Sequence, residues 1–341
     1  MHLPCIALSS TLYGYTTAVS TVAVGHQPVK WGWRLRRRSL ATPMKECPPA
    51  PPNRHTQQTA SVSRAHTNPI TDGVCTLITY ATSTWCWTTQ QISVADLIDE
   101  FIGYGYNAMS FSTAHLKAQP EEEVRRAAEL VKERNLAVTF HGNTGIGFDQ
   151  LMEYVTMFSP HVECITFDAT RGKEPRGMLY DAGEMAPFMR AVLDATADTD
   201  ILVGVEDFPL TREAADFYGD DLAAVIDDPR FGMLIDVGHM NMYLTSERYY
   251  AGMSIADYFK ALPLPVIELH LHDNNGYQDQ HGWFGMGTLD LTAVADAARA
   301  IGFQGVSTIE IAPGMHGSNP DADRPHARTT LERWKSLWPT A

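Results

Sequence analysis

Cysteine is sparse and unpaired: Cys5, Cys47, Cys75, Cys86 and Cys164 are odd in number and include no Cys-x-x-Cys spacing. That excludes a disulfide framework and a zinc–cysteine site, and it fits a reducing, cytoplasmic compartment. Acidic residues are nearly missing from the first 70 positions, where eight Lys and Arg stand beside Glu46 alone, a net of +7. The whole chain carries −14, so the remainder carries −21. A surface of that sign repels a phosphate backbone, and no nucleic-acid partner is expected. Long apolar runs are missing as well. Residues 3–29 hold no Lys, Arg, Asp or Glu, but Ser, Thr, Tyr and Gly interrupt them and no basic segment precedes them, which argues against a signal peptide or a membrane span.

Residues 1–70 lack helical or strand periodicity and cluster Pro48, Pro51 and Pro52. Such a segment cannot bury enough apolar surface to offset its chain entropy, and it is expected to be a disordered basic extension. A non-functional extension is the favoured reading; its Arg-rich composition makes organelle targeting the alternative. Residues 72–341 suit one α/β barrel, for which roughly 250 residues are typical.

Within that region strand and helix signals alternate without an internal repeat. Expected strands are Val74–Thr79, Ala108–Phe111, Leu136–Phe140, Cys164–Phe167, Ile201–Val205, Phe231–Ile235, the run from Ile267, and Val306–Ile309. Between them, Ser93 and Asp96 frame a capping box, Pro120 with Glu121, Glu122 and Glu123 opens a helix, and Phe148, Leu151, Met152, Val155 and Phe158 share a helical face. Further helices are expected around Leu222–Ile226, Ile255–Leu262, Leu291–Ile301 and Thr329–Leu337. Eight such units in order predict a (β/α)8 TIM barrel.

Four consecutive expected strands end in an acid or a histidine: Glu206, Asp236, His270 and Glu310. The segment after the seventh strand, His-Leu-His-Asp-Asn at 270–274 followed by Asp279-Gln-His281, is dense in polar ligand chemistry, and its first two imidazoles share one face of a strand. A divalent metal is the natural occupant of such a mouth. Three carboxylates and one imidazole form a mainly oxygen site that favours Mn²⁺ or Mg²⁺, with Zn²⁺ or Co²⁺ as alternatives.

Together with Ile-Asp-Val-Gly-His at 235–239, these motifs resemble the xylose isomerase-like barrel superfamily of sugar and sugar-phosphate isomerases and epimerases, dehydratases and endonuclease four. The resemblance implies a metal bound by Glu206, Asp236, His270 and Glu310, with Glu206 and Glu310 as proton acceptor and donor on opposite faces of the substrate. It also implies that His239, Asp279 and His281 either contact substrate or bind a second metal. His141 at the third strand matches the endonuclease pattern, but Asp168 stands where that pattern has a histidine.

His141, His272 and Trp283 are expected to face substrate, and Trp85, Trp87 and Phe284 to lie on mouth loops. Asp273 is a candidate cap for the strand-to-loop turn. His316, Arg324 and His326 lie where barrels often hold phosphate, without the glycine-rich helix start that such a site needs. The expected activity is isomerisation or epimerisation of a sugar, keto-sugar or related polyol through a metal-stabilised enediolate. A lyase or dehydratase acting from the same site is the alternative, and an abasic-site phosphodiesterase is disfavoured by charge. Nothing in the sequence speaks to oligomeric state.

Overall fold

A computed structural model describes residues 78–90, 93–171, 178–179, 182–207, 217–312 and 320–338. The chain falls into two units, Met1–Pro69 and Ile70–Ala341, and all described residues belong to the second. The disordered extension expected over residues 1–70 lies outside the described residues.

Eight strands, β1 (Thr79–Ser83), β2 (Ala108–Ser112), β3 (Ala137–Gly142), β4 (Val162–Phe167), β5 (Leu202–Glu206), β6 (Phe231–Asp236), β7 (Val266–Leu271) and β8 (Val306–Ile309), form a closed barrel. Every strand pairs in parallel with its neighbours in chain order, and β1 pairs with β8. The (β/α)8 architecture is therefore present. A two-stranded antiparallel ribbon, Thr170–Arg171 with Met178–Leu179, follows β4.

The helices between strands bury the faces expected of them. Val94, Leu97, Ile98 and Phe101 of Val94–Tyr104 are buried, and that helix stops at Gly105, whose φ of 95° favours glycine. The helix Glu121–Arg134 carries three acids in its first turn and Lys132 and Arg134 in its last, which complements the helix dipole at both ends.

Residues two apart along a strand share a face, so the strand sequences stack side chains inside the barrel in tiers; at β7 a register shift against β6 lets the adjacent Ile267 and Glu268 both face inward. Ala81, Ala108, Cys164, Ile267 and Val306 form an apolar floor. Gly204 and Gly232 make room for it, since a Cβ on either would stand 2.7 Å or 2.4 Å from the Ile267 side chain. Above the floor come Thr139, Thr166, Thr308 and Glu268, all fully buried. Above these, at the strand C-termini, come His141, Asp168, Glu206, Asp236, His270 and Glu310. Barrel interiors are usually filled by branched aliphatic side chains; here the middle tier is polar.

Four expectations need correction. Of the first expected strand, residues 74–77 lie outside the described residues, and the strand found, Thr79–Ser83, runs four residues past the expected end because its inward positions are small or polar. Trp87 is not a mouth residue: it sits in the 3-10 helix Trp85–Gln90, is 1 % exposed and packs edge-on against Phe101 at 5.1 Å. The region expected as a helix at Leu222–Ile226 is instead a π-helical segment, Phe217–Ala223. The last helix begins at Pro320, well before Thr329.

Candidate metal centre

Six neighbouring strands, β3 to β8, bring a titratable side chain to one mouth of the barrel. His141 lies in β3, Glu206 ends β5, Asp236 ends β6 and His270 lies in β7, while Asp168 and Glu310 directly follow β4 and β8. The strand ending in Asp236 turns straight into the helix Val237–Ser246, whose N-cap is Asp236 itself: its Oδ1 accepts the His239 backbone N–H at 2.8 Å. That cap aims His239 back at the mouth, where its Nδ1 stands 3.0 Å from Glu206 Oε1.

The loop after β7 supplies the rest. Asp273 pairs with Gly282 through both backbone hydrogen bonds. Its carboxylate accepts N–H bonds from Asn274, Gly285, Gly287 and Leu289. The role found for Asp273 is thus to shape the loop, as a capping residue would. The loop so fixed presents Asp279 and His281, and the His281 ring stacks on His272 with centroids 4.0 Å apart.

Acids and imidazoles alternate through the mouth. His141 Nε2 lies 3.2 Å from Asp168 Oδ1 and 3.3 Å from Glu206 Oε2. His272 Nε2 lies 2.9 Å from Asp236 Oδ1. Asp279 meets His239 at 3.3 Å and His281 at 3.2 Å, and His270 Nδ1 meets Glu310 Oε2 at 3.3 Å. Glu206, Asp236, His270, His272 and Glu310 are all buried.

Burial opposes charge on these groups, but pairing outweighs it. Hydrogen bonds from His141 and His239 hold Glu206 well below the usual carboxylate range, and the charges of His239 and His272 lower Asp236. The same pairing raises His270 and His239 well above an ordinary histidine, His141 to about 10 and His281 to about 9. Without an ion the imidazolium charges thus balance the carboxylates, and a cation bound at the centre would take the place of their protons.

A divalent ion fits that centre. Glu206, Asp236 and His270 offer ligand atoms within 4.8 Å of one another, as do His141, Asp168 and Glu206, and as do His272, Asp279 and His281. In addition, the buried His272 Nδ1 has no hydrogen-bond partner. Three of the four residues expected around one ion thus converge, and the fourth, Glu310, adjoins His270.

The remaining candidates are placed as follows. Trp85 donates its indole N–H to Glu310 Oε1 at 2.9 Å. Trp283 stacks flat on His326, with centroids 4.0 Å apart. Arg324 pairs with Glu100 at 2.8 Å, which sets it to a structural use, and His316 lies outside the described residues.

Two buried acids escaped the sequence reading. Asp207 accepts the Asp236 backbone N–H at 2.9 Å and the Tyr258 hydroxyl at 2.5 Å. Glu268 sits in the polar tier beneath His270, and the alternation Glu268-Leu-His270 already placed it on the same strand face.

Residues 169–337 match the family model described as xylose isomerase-like TIM barrel, and that segment contains Glu206, Asp236, His270 and Glu310. Over that segment, just under half of its length, the chain is similar to the xylose isomerase-like TIM barrels. An uncharacterized protein of Methanocaldococcus jannaschii is 27% identical over 122 residues, 35% of this chain and 40% of that protein. The match thus spans well under half of the relative's length.

Solved structures share the fold over nearly their whole length. A D-psicose 3-epimerase in the presence of D-fructose superposes with a TM-score of 0.58 at 14% identity, covering 76% of this chain and 99% of that one. The IolI protein with a bound zinc atom gives 0.55 at 16%, covering 77% and 100%. A probable 3-DHS dehydratase of Bacillus anthracis gives 0.53 at 14%, covering 76% and 99%.

Proposed function

We propose that this barrel is a divalent-metal-dependent isomerase or epimerase of a sugar, keto-sugar or related polyol. The observation that carries the reading is the convergence of Glu206, Asp236 and His270 within ligand distance of one another, with Glu310 beside His270. When bound, the ion supplies electrostatic stabilisation to negative charge developing on adjacent substrate oxygens. The mainly oxygen donor set favours Mn²⁺ or Mg²⁺, and the imidazoles accommodate Zn²⁺ or Co²⁺. His239, Asp279 and His281 would hold a second ion or substrate, while His141 and His272 line the same mouth.

Glu206 ends β5 and Glu310 follows β8, three strands apart around an eight-stranded barrel. They therefore approach a substrate at the centre of the mouth from nearly opposite sides. Glu206 as carboxylate takes the proton from the carbon next to a carbonyl, and Glu310, entering the step as the carboxylic acid, gives its proton to the other face and is left ionised. The Trp85 indole holds Glu310 in place for this, and His239 holds Glu206.

A lyase is the second reading. His281, raised to about 9 and hydrogen-bonded to Asp279, is an acid poised beside the same centre. It could protonate a departing β-hydroxyl.

Panels of ketoses, aldoses and cyclitols in deuterated water separate the two readings, through carbonyl migration or stereoinversion on one side and dehydration on the other. Glu206→Gln and Glu310→Gln should each abolish deuterium incorporation, because an amide can still offer an oxygen but cannot take the proton. Turnover of the wild-type chain without solvent exchange would overturn the two-glutamate mechanism and point to hydride transfer between adjacent carbons.

A further inference from the structure

The polar tier beneath the metal centre is organised around one residue. Glu268, on β7, is fully buried and accepts hydrogen bonds from Thr139 (β3) at 3.0 Å, Thr308 (β8) at 2.7 Å and Thr166 (β4) at 3.0 Å, with the Cys164 thiol at 3.4 Å. Three hydroxyls and a thiol pointing at two oxygens match an acceptor-only carboxylate. Barrel stability alone does not call for such a group, since an apolar side chain with apolar neighbours would fill the same space without the cost of burying a charge.

Thr166 leads from this carboxylate to the mouth. Its Oγ1 lies 3.0 Å from Glu268 Oε2, 3.5 Å from the Phe140 carbonyl and 3.0 Å from His141 Nδ1. A hydroxyl has one proton, and an anionic oxygen is the strongest acceptor in reach. With that proton directed at Glu268, Thr166 can only accept from His141, so Nδ1 carries a hydrogen. The other nitrogen, Nε2, then faces Asp168 and Glu206. Glu268 also reaches the second imidazole above it: its Oε1 lies 3.7 Å from His270 Nε2.

We propose that Glu268 is a positioning residue that, through Thr166, holds a hydrogen on His141 Nδ1 and so fixes the ring with Nε2 turned towards Glu206 and Asp168. The inference deepens the metal-dependent reading above, but its geometry is independent of that reading. An anion placed behind a ligand imidazole orients the ring and makes its outer nitrogen a better ligand.

The test uses the full chain with ¹⁵N-labelled histidine, first metal-free and then titrated with Zn²⁺ alone. The His141 Nδ1–H should appear as a slowly exchanging imidazole resonance in both states. Thr166→Val should speed its exchange at least tenfold while the His270 resonances hold, and Thr166→Ser should restore it. Glu268→Gln should give the same loss and weaken Zn²⁺ binding by roughly 10–100-fold. A His141 found without a proton on Nδ1, or a Thr166→Val spectrum identical to wild type, would overturn the proposal. Should Glu268→Gln fail to fold, the two Thr166 variants still decide it. Should wild type fail to bind Zn²⁺, the metal reading falls while the metal-free spectra continue to judge Glu268.

Discussion

Gly238→Ala sets two known effects against each other. Gly238 is the second residue of the helix Val237–Ser246, and alanine normally favours a helix over glycine by about 1 kcal/mol. Here, however, the added Cβ would stand 1.9 Å from His272 Cε1 and 2.3 Å from its Nε2, far inside the roughly 3.5–4.0 Å of ordinary carbon contact. The ring has little room to retreat, being fully buried, hydrogen-bonded to Asp236 and stacked on His281.

Overpacking costs about 1–3 kcal/mol, and displacing the ring from Asp236 adds about 1–3 kcal/mol for a buried polar group left unpaired. Less the helix gain, the variant should lose about 1–5 kcal/mol. For a chain of this size that is a fall in Tm of roughly 2–20 °C. Urea titration and calorimetry measure it, and a cycle with His272→Ala should return most of the loss. A Gly238→Ala protein as stable as wild type, or more so, would show that helix propensity wins and that the ring is not fixed as described.

Metal analysis of the purified chain should find one tightly held divalent ion, and His270→Ala should remove it. Titrating Mn²⁺ to a hundred times its Kd should stabilise wild type by about 2.7 kcal/mol and leave the variant nearly unmoved; equal metal content in the two proteins would refute the assignment. His115 gives a pH dependence away from the mouth. Burial lowers it from 6.5 to about 4, so the unfolded chain takes up the proton first. Its contribution is complete above pH 6.5 and disappears as pH falls towards 4, by about 3 kcal/mol at most. Stability curves of wild type and His115→Gln should therefore converge on acidification across that window, and parallel curves would sink the account.

Much of the barrel was legible because strands bury continuous apolar runs while helices bury one face, and β8 was bounded residue for residue. What failed has local causes. The helix Val237–Ser246 went unseen because Asp236 does two things at once, capping the helix and pointing into the mouth, and only the second was visible from motif and spacing. The last helix was placed too late because Pro325 lies inside it, where a proline ordinarily marks a boundary.

At the mouth, the motif located the four acids and imidazoles at the ends of β5 to β8. It missed Glu268, whose partners Thr139, Thr166 and Thr308 are scattered across three other strands. A hydroxyl inside a strand reads as ordinary polar alternation until the barrel closes and places it opposite a carboxylate.

Asp273 has a mechanical meaning. By gathering four backbone amides of residues 274–289 onto one carboxylate, it makes the segment that bears Asp279 and His281 a fixed jaw on one side of the opening. The conformational entropy of that jaw is lost during folding rather than at the encounter with a ligand.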